Sequence, residues 1–304
     1  MRSPVISVIM LTYNRESMLS GMIECILGQT FRDFEYIIVD NGSTDRSGII
    51  ADQYAEKDDR IKVIHRERGN IGSGRNAGLD CAAGKYIAFV DDDDVCTEDY
   101  LEFLLDLAEG SEADAAICGA TDKVFDEKKV MTSEEAISVL LWRKKYNVAF
   151  PAKLFSRSLF EHNRFLNTGK YDDIYLMPKI LSDANRVAYH GLPQYTFMRH
   201  GQNNSNWTQD HSLLDDDTLN EYLDVYRKRT DWLIGLYPDN ADEWQYFEWS
   251  FMISMIEKVT RLELKDCYDT RNRLVQVLSE KKDQFISNRF IQDFEKSWMI
   301  RYVN

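Results

Sequence analysis

A twisted, mostly parallel α/β sheet with helices on both faces, followed by a C-terminal helical region, is the fold class predicted by this 304-residue sequence. Three observations point to it. Over residues 1–120, short β-rich apolar runs alternate with stretches of helical spacing. Several of those runs are continuous rather than alternating, as strands buried on both faces are. From residue 213 onward the sequence is charged, spaced like helices and rich in aromatics.

The elements follow in order. Val5 to Leu11 (VISVIML) is the first strand, and Met18, Leu19, Met22, Ile23, Ile26 and Leu27 then share one helical face. Phe34 to Val39 (FEYIIV) is a second buried strand, residues 44–57 a helix, and Ile61 to Ile64 a short third strand. Gly69 to Gly84 holds a loop and a helix of small residues. Tyr86 to Val90 (YIAFV) is the fourth strand, Thr97 to Ala108 a helix with Thr97 as N-cap, and Ala115 to Cys118 a fifth strand. Thr132 and Glu135 form a capping box that opens a further helix. Residues 145–205 mix short apolar pieces with polar turns, and a boundary falls in the polar stretch at 206–212. Beyond it, Asp215-Asp216-Asp217 marks a helix N-terminus, and aromatics such as Trp232, Trp244, Tyr246 and Trp249 pack on helices. Ile286, Phe290, Phe294 and Trp298 recur every four residues, a stripe expected to pack in the core or a homodimer, with membrane contact as the alternative.

Composition narrows the function. Hydrophobic residues make up 44% and aromatics 12%, enough for a core. With 37 basic against 51 acidic residues the net charge is −14, a field that repels nucleic-acid backbones yet tolerates a small phosphate ligand when a metal ion bridges the two. Five cysteines without a C-x-x-C pair suit reduced thiols better than a disulfide or zinc framework. No secretory leader pattern and no apolar run of about 18 residues occurs, so a cytoplasmic location is expected.

Four polar segments carry chemistry. Asp91-Asp92-Asp93-Asp94 directly follows the strand YIAFV. Adjacent carboxylates repel one another, and the carboxyl ends of strands are where open α/β sheets bind ligands. A hard divalent cation, Mn²⁺ or Mg²⁺, would resolve that repulsion, and a solvated acidic turn leading into the next helix is the alternative reading. Asp40-Asn41-Gly42-Ser43-Thr44-Asp45 follows the second strand; Asn41-Gly42 makes a turn, Ser43 or Thr44 caps the next helix, and Asp40 is placed to accept hydrogen bonds from a base or ribose. Thr12-Tyr13-Asn14-Arg15 closes the first strand, with Tyr13 able to stack on a base. Gly72-x-Gly74-x-x-x-Gly78 misses the dinucleotide spacing by one residue and has no Walker lysine, so it reads as a turn into a small-residue helix that aims Arg75 at a phosphate or at the acidic cluster.

Together YNR, EYIIVDNGSTD, GNIGSGRNAGLDCAAGKYIAFVDDDD and YDDIYL, in that order over residues 5–205, resemble the family 2 glycosyltransferases of GT-A fold. The resemblance implies an inverting, Mn²⁺- or Mg²⁺-dependent transfer from a nucleoside-diphosphate sugar, usually UDP-linked. The acceptor it implies is a glycan or lipid-linked glycan hydroxyl in surface polysaccharide synthesis, at most peripheral to the inner face of the membrane. It divides the chain into a catalytic domain at 1–208, with a nucleotide-sugar half at 1–120 and an acceptor half at 121–208, and a helical region at 209–304. It assigns Thr12, Tyr13, Arg15, Asp40, Asp45, Arg75, Asp91, Asp92, Arg199 and Ser205 to the donor, and Asp93 with Asp91 to the metal. Asp172-Asp173 stands where the family shows Glu-Asp, which makes Asp173 the general base, its pKa raised by Asp172. His200 and His211 are expected to be exposed or structural rather than metal ligands. Two alternatives remain: a sugar nucleotidyltransferase, which would want a basic glycine-rich loop after the first strand where Asn14-Arg15-Glu16 stands, and an inactive nucleotide- or glycan-binding homologue.

Overall fold

The computed structural model describes residues 3–121, 124–167, 171, 173–201, 206–208 and 210–303. The chain divides into two compact units, Met1–Met198 and Arg199–Asn304.

In the first unit the expected alternation is present: β1 (Ile6–Thr12), α1 (Leu19–Leu27), β2 (Phe34–Asp40), α2 (Ser47–Ala55), β3 (Ile61–His65), α3 (Ile71–Cys81) and β4 (Tyr86–Asp91). Four parallel strands stand in the order β3-β2-β1-β4. The chain steps outward from β1 to β3 and then returns to the other flank of β1, so a topological switch lies between β1 and β4, the place where such sheets form a ligand crevice. Then follow β5 (Val95–Cys96), α4 (Tyr100–Gly110), β6 (Ala115–Ala120), β7 (Lys128–Met131), α5 (Ser133–Trp142), β8 (Lys153–Ser156), α6 (Asp173–Ser182) and β9 (Val187–Thr196). They extend the sheet as β4-β8-β6-β9-β5, with β7 also on β9, and here β8, β5 and β7 run antiparallel to their neighbours.

Both sheet faces are covered. Ile6, Val8 and Met10 of β1, Tyr36 and Ile38 of β2, and Ala88 and Val90 of β4 form one core with Leu19, Met22, Ile23 and Ile26 of α1 and Leu101 and Leu104 of α4. Each large aliphatic side chain withdrawn there stabilises the fold by about 1.5–3 kcal/mol. On the other face α3 lies unusually close. A Cβ on Gly78 would sit 2.5 Å from Ile9 Cγ2, and one on Gly74 2.3 Å from Leu11 Cδ1. The glycines therefore serve helix-on-sheet approach. Asn70 caps α3 by accepting the Ser73 N–H at 2.8 Å, and Thr132 and Glu135 form the expected capping box on α5.

Two expected caps are absent. Thr97 does not cap α4, which begins three residues later; its hydroxyl instead donates to the Gln194 side chain. Neither Ser43 nor Thr44 caps α2, because both are committed to the loop after β1.

At the amino ends of the strands, Gly84 N–H donates to Ser7 Oγ at 2.8 Å, and Ser7 Oγ donates to Glu35 Oε1 at 2.6 Å. A Cβ on Gly84 would lie 2.5 Å from the Ser7 backbone nitrogen, which cannot give way as a side chain can. Gly84→Ala should therefore cost about 2 kcal/mol or more, lowering the unfolding midpoint by roughly 4–8 °C in a thermal scan.

The second unit is helical: α7 (Asp216–Leu236), α8 (Ala241–Arg261), α9 (Tyr268–Glu280), α10 (Lys282–Ser287) and α11 (Asp293–Tyr302). Asp215 caps α7 by accepting the Thr218 N–H at 2.7 Å. Trp244, Tyr246, Phe247 and Trp249 of α8 are buried, and Phe251 stacks on Tyr226 at 4.3 Å between ring centroids. The four-residue stripe is not a core stripe: Phe294 is 54% and Ile286 38% exposed, while α11 buries Glu295 and Met299. Among the described residues no helix is long and apolar enough to cross a membrane.

Candidate active site

Strand register assembles one polar row at the carboxyl edge of the sheet. His65 pairs with Asp40, Asp40 with Thr12, and Leu11 with Asp91. Residues from four strands, up to 80 positions apart in sequence (91 − 11), thus meet beside the β1/β4 switch.

The loops after β1 and β2 are laced together. Asn14, at φ 51°, donates its N–H to Ser43 Oγ at 3.1 Å and accepts the Thr44 N–H at 2.8 Å. Arg15 N–H donates to Ser47 Oγ at 2.8 Å, and Glu16 N–H to Asp45 Oδ2 at 3.1 Å. Asp45 also accepts the Ser47 N–H at 2.9 Å. Against desolvation, these hydrogen bonds hold its carboxyl below the usual range. Asp45 is thereby a tie between loops. Asp40 is 6% exposed and accepts the Ser43 N–H at 2.9 Å. The Arg68 guanidinium lies over the Tyr13 ring, 3.2 Å from its centroid. Gly42, at φ +81°, has no room for a Cβ, which would meet Arg68 N at 2.6 Å.

The acidic cluster alternates. Asp92 and Asp94 are 7% and 6% exposed, whereas Asp91 and Asp93 are half-buried. Asp92 lies 3.7 Å from Arg15 Nε, and Asp94 accepts the Met198 N–H at 2.7 Å. Burial pushes Asp92 up to about 7 and Asp94 up to about 8. Desolvation also raises Asp91; the Arg75 guanidinium opposes this and Asp93 adds to it. Arg75 Nη2 donates to Asp91 Oδ1 at 3.2 Å, and its guanidinium sits 5.5 Å from the Phe150 and Phe165 ring centroids. Asp91 N–H donates to the Tyr195 hydroxyl at 3.1 Å, which braces the end of β4 from β9.

Asp91 and Asp93 offer hard oxygen donors from the accessible side of the loop. Among the described residues no three or more His, Cys, Asp or Glu side chains gather as a closed metal cage. The donor set suits a hard cation held by one or two carboxylates and completed by substrate phosphate, the usual manner for Mg²⁺.

Asp173 opens α6 and its Oδ1 accepts the Ile174 N–H at 3.0 Å, where the helix N-terminus favours an anion. Asp172 and Ser205 lie outside the described residues. Arg199, His200 and His211 belong to the second unit, where the His211 Nδ1–H donates to the Trp207 carbonyl at 2.8 Å.

Sequence reasoning missed several positioning groups. Asn76 grips the segment that leads to α6, donating to Phe165 O at 2.8 Å and accepting the Phe165 N–H at 3.1 Å. Its one signal is that it follows Arg75. Lys153, 1% exposed, donates to Ala149 O at 2.5 Å. Burial draws its ammonium down to about 7, against the pull of Cys118 and Asp173. Nothing in the sequence marks it.

Residues 7–167 match the model of the family described as Glycosyl transferase family 2. Glycosyltransferase GlyG of Streptococcus pneumoniae serotype 4 is 31% identical over 217 residues, which cover 65% of this chain and 71% of that protein. Of three further relatives, the matched stretches span 39%, 36% and 33% of the relative's own length. The crystal structure of S. aureus TarS in complex with UDP-GlcNAc shares the fold, with a TM-score of 0.69 over 91% of this chain and 80% of that one, at 21% identity. So does mannosyltransferase PcManGT from Pyrobaculum calidifontis in complex with GDP-Man and Mn²⁺, with a TM-score of 0.61 over 99% and 85% and an identity of 14%.

Proposed function

The chain belongs to glycosyl transferase family 2, and from that premise we propose that it transfers a sugar, with inversion, from a UDP-sugar to a hydroxyl of a glycan or lipid-linked glycan, with Mn²⁺ or Mg²⁺ bound at Asp93 and Asp91. The observation that carries this reading is the polar cluster at the sheet edge: register brings a buried acceptor, Asp40, and the carboxylate Asp91 to the carboxyl ends of neighbouring strands, and Arg75 from α3 bonds Asp91 there. A nucleoside diphosphate has the matching parts, a base with N–H donors and two phosphates. Family membership sets the nucleotidyltransferase alternative aside.

In this reading Asp40 accepts from the base, Tyr13 offers a stacking face, and Arg75 donates to the diphosphate with guanidinium N–H groups beyond the one spent on Asp91. Arg15 and the laced loops hold that edge rigid, so little reorganisation is needed when the donor binds. The bound metal supplies a positive charge that stabilises the negative charge appearing on the departing phosphate. Asp173 accepts the proton of the acceptor hydroxyl as its oxygen bonds to the anomeric carbon; the bond from that carbon to the phosphate oxygen breaks, and UDP leaves. The bound TarS and PcManGT structures support a nucleotide-sugar crevice, and the Mn²⁺ of PcManGT supports a divalent ion. A peripheral, inner-face location and surface-polysaccharide acceptors belong to the same proposal.

The test is thermal unfolding with UDP, GDP and CDP, each with and without Mn²⁺. With Mn²⁺ present, UDP at a hundred times its Kd should stabilise the protein by about 2.7 kcal/mol, and the same UDP concentration should stabilise it less without the ion. If no nucleoside diphosphate moves the midpoint in the presence of metal, the donor-site reading is wrong.

A further inference from the structure

Asp40 and His65 end adjacent parallel strands and stand side by side in register. His65 Nδ1 is 3.1 Å from Asp40 Oδ2, and its Nε2 is 2.9 Å from Asp52 Oδ1 on α2. The other Asp40 oxygen, Oδ1, takes the Ser43 N–H at 2.9 Å, and the Arg66 N–H is bonded to the Asp40 carbonyl at 3.1 Å. The seat is tight: a Cβ on Gly48 would lie 2.7 Å from Asp40 Oδ2 and 3.2 Å from His65 Cε1. Asp40 is thus held at both oxygens, and one of the two holders is an ionisable ring.

We propose that His65 is a positioning residue of the nucleotide site: by bridging Asp40 and Asp52 it fixes the Asp40 carboxylate so that its remaining acceptor capacity meets a base N–H in one orientation. This rests on the donor-site reading above. A carboxylate fixed in this way favours bases that present an N–H at that edge, such as uracil, over cytosine, whose ring nitrogen there is an acceptor.

The chemistry of the bridge is proton-dependent. An imidazolium donates to both carboxylates, whereas neutral imidazole has one N–H for two acceptors. The charged groups facing the ring are Asp40 from β2 and Asp52 from α2. On its own strand Lys62 is engaged with Glu35 at 2.6 Å, and the following Arg66 donates to Ser73 Oγ at 3.1 Å. Hydrogen bonds to Asp52 and then Asp40 hold His65 above its ordinary value. The bridge is therefore complete below that raised value and lost as pH rises through it, and nucleotide affinity should fall in the same window.

Calorimetric titration of UDP with Mn²⁺ from pH 6 to 9 tests this on wild type, His65→Gln, Asp52→Asn and Asp40→Asn. Glutamine has one N–H-bearing end and no proton to lose. His65→Gln should bind UDP about tenfold more weakly at pH 6 and show a flattened pH profile, with the loss in donor KM and not in kcat. Asp52→Asn, a change on an exposed face of α2, should move the midpoint of the profile to lower pH without unfolding the protein. If both variants keep the wild-type affinity and profile while Asp40→Asn loses UDP, this inference falls and the donor site stands. If Asp40→Asn itself binds UDP normally, the base-reading role of Asp40 falls, and this inference with it.

Discussion

Asp173→Asn should lower kcat by about a thousandfold while UDP, with Mn²⁺, binds as tightly as before. A positioned general base contributes about 10²–10⁴ in rate, and a thousandfold corresponds to about 4 kcal/mol of barrier. Asparagine keeps the size of the side chain and an oxygen for the Ile174 N–H that Asp173 now accepts at 3.0 Å, so α6 should still start at the same place. What it cannot do is take the acceptor proton. Donor binding is expected to survive because none of the residues assigned to it lies on α6: most stand at the carboxyl ends of β1, β2 and β4, on the loops that follow and on α3. Initial-rate kinetics with a UDP-sugar and acceptor, alongside UDP titration, check both halves. A variant that retains turnover within tenfold would remove Asp173 from the role of base. One that loses UDP binding as well would show that the substitution damaged the fold of the site. The result also bears on Lys153, whose buried ammonium is drawn upward by the charge of Asp173. Without that charge its proton should leave at a lower pH.

The contrast between Asp40 and His65 shows how much of this site can be read from sequence. Asp40 ends a run of seven buried residues, FEYIIVD, and a continuous apolar strand of that kind announces both itself and its carboxyl end. β1 and β4 were legible for the same reason, and with them Thr12, Arg15 and the four aspartates. β8 was not: KLFS is four residues long, begins with a buried lysine and joins the sheet antiparallel between β4 and β6, so neither length nor period marks it. β9, with Tyr189 and Tyr195 buried, and β7, three of whose four residues are exposed, are ambiguous in the same way. The lacing of Asn14, Glu16, Ser43 and Asp45 joins residues about 30 apart, of which Asn14, Ser43 and Asp45 are by themselves ordinary turn formers. Periodicity reports what a residue is next to along the chain. His65 has its meaning across two strands and a helix, and only strand register reveals it.

Asp93→Ala should separate nucleotide binding from the metal. With Asp93 removed, the gain in UDP stabilisation on adding Mn²⁺ is expected to disappear while the part seen without metal persists, and kcat should fall by about 10³. The distinction between the four aspartates comes from their alternation. Asp92 and Asp94 face inward, one against Arg15 and one under the Met198 N–H, while Asp91 and Asp93 are partly open to solvent. Arg75 bonds Asp91, and in the proposed reading Asp93 is the principal ligand, so its loss should be felt most by a cation. Failure to fold would mimic the loss of metal, and the electrostatics say which way stability should move. Burial, chiefly, lifts Asp92 to about 7, and the charge of Asp93 adds to the rise. A carboxyl whose folded value lies above its unfolded one binds its proton more tightly in the native state, so its contribution to stability declines as pH rises from about 4 towards 7. Removing Asp93 lessens that decline, and the ligand-free variant should melt no lower than wild type at pH 7.5. A variant that melts no lower, binds UDP and ignores Mn²⁺ is the expected outcome of a metal site at Asp93. If it melts no lower and responds to Mn²⁺ as wild type does, the cation is held elsewhere, and the acidic cluster is structural, held by contacts such as those to Arg15, Arg75 and Met198.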